Sequence, residues 1–174
     1  YPVTKNDEEA LRYFTLAWQE GQLPAAAFEL SEMYQKGEGT EKDENKALEL
    51  LGAAAQAKNP SAQYALGERA YKAEPANYQD AFAWFSNAAE GGLAQAQYMT
   101  GFMLMQGQGT ERSVPLAIEF FKKAANQNDT AAQYVLGQIY WKGLGVPKDK
   151  KEGRAWLEKA SAGGNLAARE LLNQ

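Results

Sequence analysis

The sequence predicts an all-α chain, a solenoid of stacked antiparallel helix hairpins, and three observations carry that reading. The register Ala-x-x-(aromatic or Leu)-(aromatic or Leu)-x-x-Ala occurs five times. Its copies are Ala10/Tyr13/Phe14/Ala17, Ala47/Leu50/Leu51/Ala54, Ala81/Trp84/Phe85/Ala88, Ala117/Phe120/Phe121/Ala124 and, with Gly153 in place of the first Ala, Trp156/Leu157/Ala160. Successive copies lie 37, 34, 36 and 36 residues apart. A second register alternates with it: Phe28-x-Leu30-Ser31, Tyr64-x-Leu66-Gly67, Tyr98-x-Thr100-Gly101 and Tyr134-x-Leu136-Gly137, at steps of 36, 34 and 36. Finally, the chain holds 31 alanines, the residue that costs least in a helix and lets backbones approach closely. A period of 34 to 37 residues with helical patterning marks an array in which each unit buries its apolar face only against its neighbours.

The second register marks the first helix of each hairpin, A, and the five-fold register marks the second, B. The parse is one domain over 1–174: a B helix without a partner at about 6–20, four hairpins at about 22–58, 60–91, 93–128 and 129–163, and a closing A helix at 165–174. Asn6, Asp43, Asn77, Ser113 and Asp149 each stand four residues before the first small position of a B helix, where a short polar side chain accepts from the free amides of the first turn. Asn6 with Glu9 and Asp149 with Glu152 approximate capping boxes. B helices are predicted to end at Gly21, Asn59, Gly91-Gly92, Asn128 and Gly163-Gly164, residues that tolerate the positive φ of a C-cap. A helices end at Gly37-Glu38-Gly39, Gly107-Gln108-Gly109 and Gly143-Leu144-Gly145, and the second hairpin substitutes Ala73-Glu74-Pro75. A phosphate loop is not the reading of these Gly-x-Gly runs: they recur at one phase of the repeat, no strand precedes them and no Lys-Ser/Thr follows. Ser31, Gly67, Gly101 and Gly137 are small so that helix B can cross helix A closely.

Composition removes several kinds of chemistry. With no Cys and no His, thiolate nucleophiles, Cys/His zinc sites, disulfides and imidazole acid–base catalysis are absent together. A chain without thiols suits an oxidising compartment as well as a reducing one. The net charge of −4 argues against nucleic acid, which is bound by clustered Lys and Arg. Residues 1–87 carry 8 basic and 14 acidic side chains, and residues 88–174 carry 10 and 8. No apolar run is long enough to span a bilayer. The chain begins at Tyr1 with no initiator Met, which points either to a removed signal peptide or to a piece of a longer protein.

The string from Ala132 to Val146, running on to Asp149 and Trp156-Leu157-Glu158-Lys159-Ala160, closely resembles the SLR family (Sel-one-like repeats), relatives of the tetratricopeptide repeats. That resemblance implies a right-handed superhelix whose A helices line a concave groove, used mostly as an adaptor for other proteins and often found in bacterial envelope or secreted proteins. Some bacterial relatives with penicillin-binding activity carry a cysteine pair in each repeat, and this chain has none. Transferring the family's groove phase gives Phe28, Gln35 and Lys36; Tyr64, Tyr71 and Lys72; Tyr98, Phe102, Met105 and Gln106; and Tyr134, Gln138, Trp141 and Lys142 as the inner face. Tyr64, Tyr71, Tyr98, Phe102, Met105, Tyr134, Gln138, Trp141 and Lys142 form the expected partner-binding set, because Tyr, Trp and Met supply large contact area with few rotatable bonds. Tyr64, Tyr98 and Tyr134 read equally well as a packing ladder between repeats, whereas Phe102, Met105 and Trp141 sit at positions less needed for stacking.

Glu32 and Glu68, 36 residues apart at equivalent positions, read as a polar inner wall, and no residue is assigned a catalytic, metal-binding or cofactor-binding role. Lys148, Lys150, Lys151 and Arg154 make a basic loop. The expected function is a non-catalytic module that binds a protein or peptide, either a bacterial envelope adaptor or an inhibitor or immunity protein for an effector enzyme. The expected location is periplasmic or secreted, with the cytoplasm left open. The alternative is a glycan-binding or cell-wall-processing envelope protein. Leu11, Tyr13, Phe14, Leu16 and Trp18 on the unpartnered B helix exceed what one interface buries, and Leu166, Leu171 and Leu172 do the same at the other end, so an end-to-end contact through Tyr13 and Trp18 is also expected.

Overall fold

In a computed structural model describing residues 5–173, every regular element is an α-helix. The helices are α1 (Lys5–Gln19), α2 (Pro24–Lys36), α3 (Glu44–Gln56), α4 (Pro60–Tyr71), α5 (Tyr78–Glu90), α6 (Ala94–Gln106), α7 (Val114–Asn126), α8 (Thr130–Lys142), α9 (Lys150–Ala162) and α10 (Leu166–Leu172). Each packs on its neighbours in sequence, and α10 also reaches α8. The hairpins α2/α3, α4/α5, α6/α7 and α8/α9 follow one another as a solenoid, with α1 before and α10 after. Tyr1, and Gln174 at the end of the expected closing helix, lie outside the described residues.

Inside the hairpins the small position of helix A faces a large apolar side chain of helix B. A Cβ added to Gly67 would lie 2.7 Å from the Phe85 ring, one on Gly101 3.0 Å from Phe121, and one on Gly137 2.6 Å from Leu157. Phe85, Phe121 and Leu157 are fully buried, each contributing about 1.5–3 kcal/mol by leaving water. The last hairpin tightens further, because Gly153 at the Ala position of α9 leaves room for the backbone of Trp141, whose amide nitrogen would lie 2.6 Å from an added Cβ.

Between hairpins, a side chain that the sequence reading passed over joins B to the next A. Gln63, Gln97 and Gln133 are buried, and each Nε2 donates to a carbonyl eight residues earlier, near the end of the preceding B helix: Ala55 (3.1 Å), Ala89 (3.3 Å) and Ala125 (3.1 Å). Each of these carbonyls also accepts the amide three residues on, from Lys58, Gly92 and Asn128 at 3.0, 3.1 and 3.0 Å, so the Gln of each Ala-Gln-Tyr run adds a second hydrogen bond to a helix end and ties it to the next helix A.

The turn from B to A has one form throughout: a left-handed residue, then the N-cap of the next helix. Gln22 (φ 50), Lys58 (φ 62), Gly92 (φ 89), Asn128 (φ 66) and Gly164 (φ 93) take the left-handed place. This corrects two assignments, since Gln22 and Lys58, not Gly21 and Asn59, adopt the positive φ. The next amide bonds back to the helix, as in Asn59 N to Ala54 O (3.0 Å) and Asp129 N to Ala124 O (3.1 Å), and this closure imposes the conformation whatever the side chain. Asn59, Asp129 and Asn165 are then free to cap α4, α8 and α10, accepting from Ala62, Ala132 and Ala168 at 2.9, 2.8 and 2.9 Å.

Helix B caps are as expected at Asp43, Asn77 and Asp149, which accept from Lys46, Asp80 and Glu152 amides. Ser113 is the N-cap of α7 but makes no side-chain bond, and Asn6 lies within α1. Glu152 does not reach back to complete a capping box; its carboxylate accepts from Trp156 Nε1 at 2.8 Å. Left-handed glycines do end α2, α6 and α8 at Gly37, Gly107 and Gly143. The second glycine of the run has a further reason to be glycine: a Cβ on Gly39 or Gly109 would collide with the backbone of Asp7 or Tyr78, in the first turns of α1 and α5.

Two substitutions test this account. Gly101→Leu raises helix propensity yet overpacks the crossing on Phe121, and is expected to lower stability by ~1–3 kcal/mol; an unchanged urea midpoint would show that the crossing is not tight. Gln133→Ala removes the side-chain bond to the Ala125 carbonyl, which keeps the Asn128 amide as a donor, and should cost about 0.5–1.5 kcal/mol, read by the same denaturation curve.

Candidate partner-binding face

On each A helix, residues at i, i+4, i+7 and i+8 share one side, which aligns Phe28, Glu32, Gln35 and Lys36 on α2 with Tyr64, Glu68, Tyr71 and Lys72 on α4. Tyr98, Phe102, Met105 and Gln106 follow on α6, then Tyr134, Gln138, Trp141 and Lys142 on α8. Of the nine residues expected to bind a partner, Lys142 is exposed and the other eight are half-buried.

The three tyrosines at the first position pack on their own hairpin. Tyr64 tilts against Phe85 (5.3 Å between ring centroids) and Tyr98 against Phe121 (5.8 Å). Tyr134 lies against the buried Leu157 cluster and accepts from Gln138 Nε2 at 2.8 Å. Tyr71 sits edge-on to Tyr78 at 5.3 Å, and its hydroxyl meets the Gln108 side chain at 3.3 Å, joining the second hairpin to the third.

Phe102 and Trp141 take a larger part in packing than expected. Phe102 lies against two apolar clusters at once, centred on Phe85 and on Phe121, and Met105 leans on the second of these. Trp141 packs on the Leu157 cluster, with the Lys150 ammonium over its ring at 5.1 Å. For Phe102 the reason is geometric: position i+4 of helix A sits beside the B helices on both sides of it. The expected basic loop is mostly helix, since Lys150, Lys151 and Arg154 lie in the first turns of α9 behind the Asp149 cap, and part of it is engaged within the chain: Lys150 covers Trp141 and Arg154 pairs with Glu158 at 2.9 Å.

Glu32 and Glu68 do come together. Both line a cavity of about 480 Å³ between α2, α3 and α4, with Gln35, Lys42, Arg69 and Leu48 among its other walls. Each carboxylate is paired within its own helix, Glu32 to Lys36 at 2.8 Å and Glu68 to Lys72 at 2.9 Å. The Glu32 carboxylate holds Lys36 above the usual ammonium range, and Lys42 beside Glu44 holds that carboxyl low. Such a wall of ion pairs suits recognition of charge. Among the described residues no three Asp or Glu side chains converge as metal ligands would.

At the ends of the array, Tyr13 is 69% exposed, Leu16 41% and Leu166 67%. Trp18 instead packs on the alanine cluster of the first hairpins, Ala27, Ala54, Ala55 and Ala62, so Tyr13 and Leu16 form the open patch on α1. No helix among the described residues is long and apolar enough to cross a membrane.

A family model for the Sel1 repeat matches residues 1–21, 24–59, 60–93, 94–129 and 130–165. The chain belongs to the Sel1 repeat family. Each of the last four matched intervals contains one A/B hairpin. A Sel1 repeat protein from Oxalobacter formigenes superposes with a TM-score of 0.81 at 31% identity, over 95% of this chain and 68% of that one. A protective antigen of uropathogenic Escherichia coli with an SLR fold gives 0.81 and 31% over 91% of this chain, which spans only 34% of the antigen's length. An immunity protein from Pseudomonas aeruginosa shares the fold more distantly, with a TM-score of 0.50 and 18% identity over 93% of this chain and 83% of that one. A Sel1 repeat solenoid of this kind supports a role in protein–protein interaction.

Burial raises the Tyr64 and Tyr98 hydroxyls above their ordinary value near 10, helped by the charges of Glu68 and Asp129 at Tyr64 and of Asp129 at Tyr98. The folded chain therefore keeps these protons longer than the unfolded chain. Their contribution is intact below pH 10 and is lost as pH rises through the folded-state values. Stability measured above pH 10 should fall more steeply for wild type than for Tyr64→Phe/Tyr98→Phe, and parallel curves would refute the assignment.

Proposed function

We propose that the chain is a non-catalytic interaction module that holds a peptide or protein domain against the aligned side of α2, α4, α6 and α8. One observation carries this reading: eight of the nine side chains expected to bind a partner there are half-buried, each seated on the core with part of its surface turned outward. Aromatic and Met side chains already fixed by packing lose little freedom on binding, the property of interface anchors. Charge varies along the same side, from the Glu32/Glu68 wall to Lys142 and Lys150 near Trp141, and gives an occupant a direction.

In its narrower form the proposal places the module in the bacterial envelope, periplasmic or secreted, as an adaptor or as an inhibitor that caps one effector enzyme. Support for a single occupant comes from the opposite net charge of the two halves of the sequence. A contact through the end of the array, at Tyr13 and Leu16, belongs to the same proposal.

Met105→Ala with Trp141→Ala is the test. A partner recovered by wild type from an extract should bind the double variant at least tenfold more weakly, a change of ~1.4 kcal/mol or more, while circular dichroism shows both proteins helical. Equal affinity would overturn the assignment of this face.

A further inference from the structure

At the opposite end of the hairpins from the acidic cavity, where the last turns of α3 and α5 meet the start of α4, lies a second cavity of about 540 Å³. Gln56, Lys58, Gln63, Trp84, Asn87 and Glu90 line it. Its significance comes from comparing the repeats with one another. Trp84, Phe120 and Trp156 occupy one register, 36 residues apart. Phe120 carries the Lys123 ammonium over its ring at 4.9 Å, and Trp156 carries Lys159 at 4.2 Å. In each case the lysine stands three residues on, one turn along the helix. Three residues after Trp84 the chain has Asn87, shorter and uncharged, and no cation lies over the Trp84 ring among the described residues.

The indole N–H differs as well. Trp156 Nε1 donates to Glu152 four residues earlier at 2.8 Å. The equivalent residue before Trp84 is Asp80, one methylene shorter and engaged by Asn77 Nδ2 at 2.7 Å, and among the described residues Trp84 Nε1 makes no hydrogen bond. The corresponding cavity two repeats on, about 500 Å³, is lined by Lys159 and not by its tryptophan. Of these two clefts, the one at Trp84 has the aromatic ring itself as its wall.

We propose that the Trp84 cleft binds a neutral pyranose ring of a saccharide. An indole face offers a flat apolar surface to the C–H face of a sugar, and its N–H adds a fixed donor at the edge. Gln56 and Asn87 bring amides that both donate and accept, and Glu90 a carboxylate that accepts, a set suited to adjacent hydroxyls. Gln63 contributes less, because one of its two N–H donors is committed to Ala55. A cationic guest fits less well: Lys58 shares the cleft and would repel it, and the open N–H donor would have nothing to meet. The proposal is independent of the partner-binding face.

The test uses the indole N–H signals of ¹⁵N-labelled protein, which has four tryptophans, with the Trp84 signal assigned from Trp84→Phe. Titration with cellobiose and with N,N′-diacetylchitobiose should shift that signal saturably for at least one disaccharide, with a dissociation constant on the order of a millimolar or tighter. Asn87→Lys would set an ammonium over the indole, as Lys159 does over Trp156, and should weaken binding at least tenfold while the other three indole signals stay in place. The proposal is overturned by no saturable shift with either disaccharide, by equal binding to Asn87→Lys, or by a response to lysine amide in place of the sugars.

Discussion

The close crossing of helices A and B within each hairpin is the constraint on which the rest of this structure depends. Gly67, Gly101 and Gly137 give up their side chains so that Phe85, Phe121 and Leu157 can fill the space. Glycine in a helix interior costs about 1 kcal/mol relative to Ala, less than the ~1.5–3 kcal/mol gained by burying the large residue opposite. That exchange sets the distance and rotation of the two helices, and therefore which side of helix A stays open. The tyrosines at 64 and 98 rest on the same phenylalanines, so the candidate face is a second surface of the packing that closes the hairpin.

Stacking one hairpin on the next raises a different difficulty, because it buries helix ends whose carbonyls lack partners. The left-handed turn resolves it at every junction by returning amides to those carbonyls, and at three junctions a buried glutamine adds a second hydrogen bond. Both devices act between neighbours only. Extensive contacts between helices join neighbours in sequence, with α8 and α10 as the added pair. A solenoid can in this way vary one repeat without disturbing those beyond its immediate contacts.

This locality explains what was legible in the sequence. A constraint that recurs at fixed spacing leaves a fixed pattern, so the small-against-large crossing, the Gly-x-Gly stops and most B-helix caps could be read directly. Roles that depend on backbone closure could not: Asn59 and Asn128 look alike as residues that tolerate positive φ, yet one caps α4 and the other is the left-handed residue before α8. The Gln of Ala-Gln-Tyr was visible as a repeat, but its target carbonyl belongs to the previous helix and appears only after stacking. On the candidate face, Phe102 reads from the sequence as standing at a position less needed for stacking, and the same position holds the polar Glu68 and Gln138 in the adjoining repeats. In three dimensions that position adjoins two B helices, and an aromatic ring there joins their clusters.

What a repeat array leaves for function to act on is the departure of one repeat from its siblings. At position i+4 of helix A the residues run Glu32, Glu68, Phe102 and Gln138, so a common backbone presents charge, then an aromatic surface, then an amide. Three residues past the B-helix aromatic, Lys123 and Lys159 close their rings where Asn87 leaves Trp84 open. Gly153 draws α9 onto α8 more closely than Ala would allow, and it does so beside Trp141. None of these differences is required by the crossing or by the turns. They are tolerated because the shared constraint is satisfied elsewhere in the repeat, and the specificity of the molecule resides in such positions more than in the residues that recur.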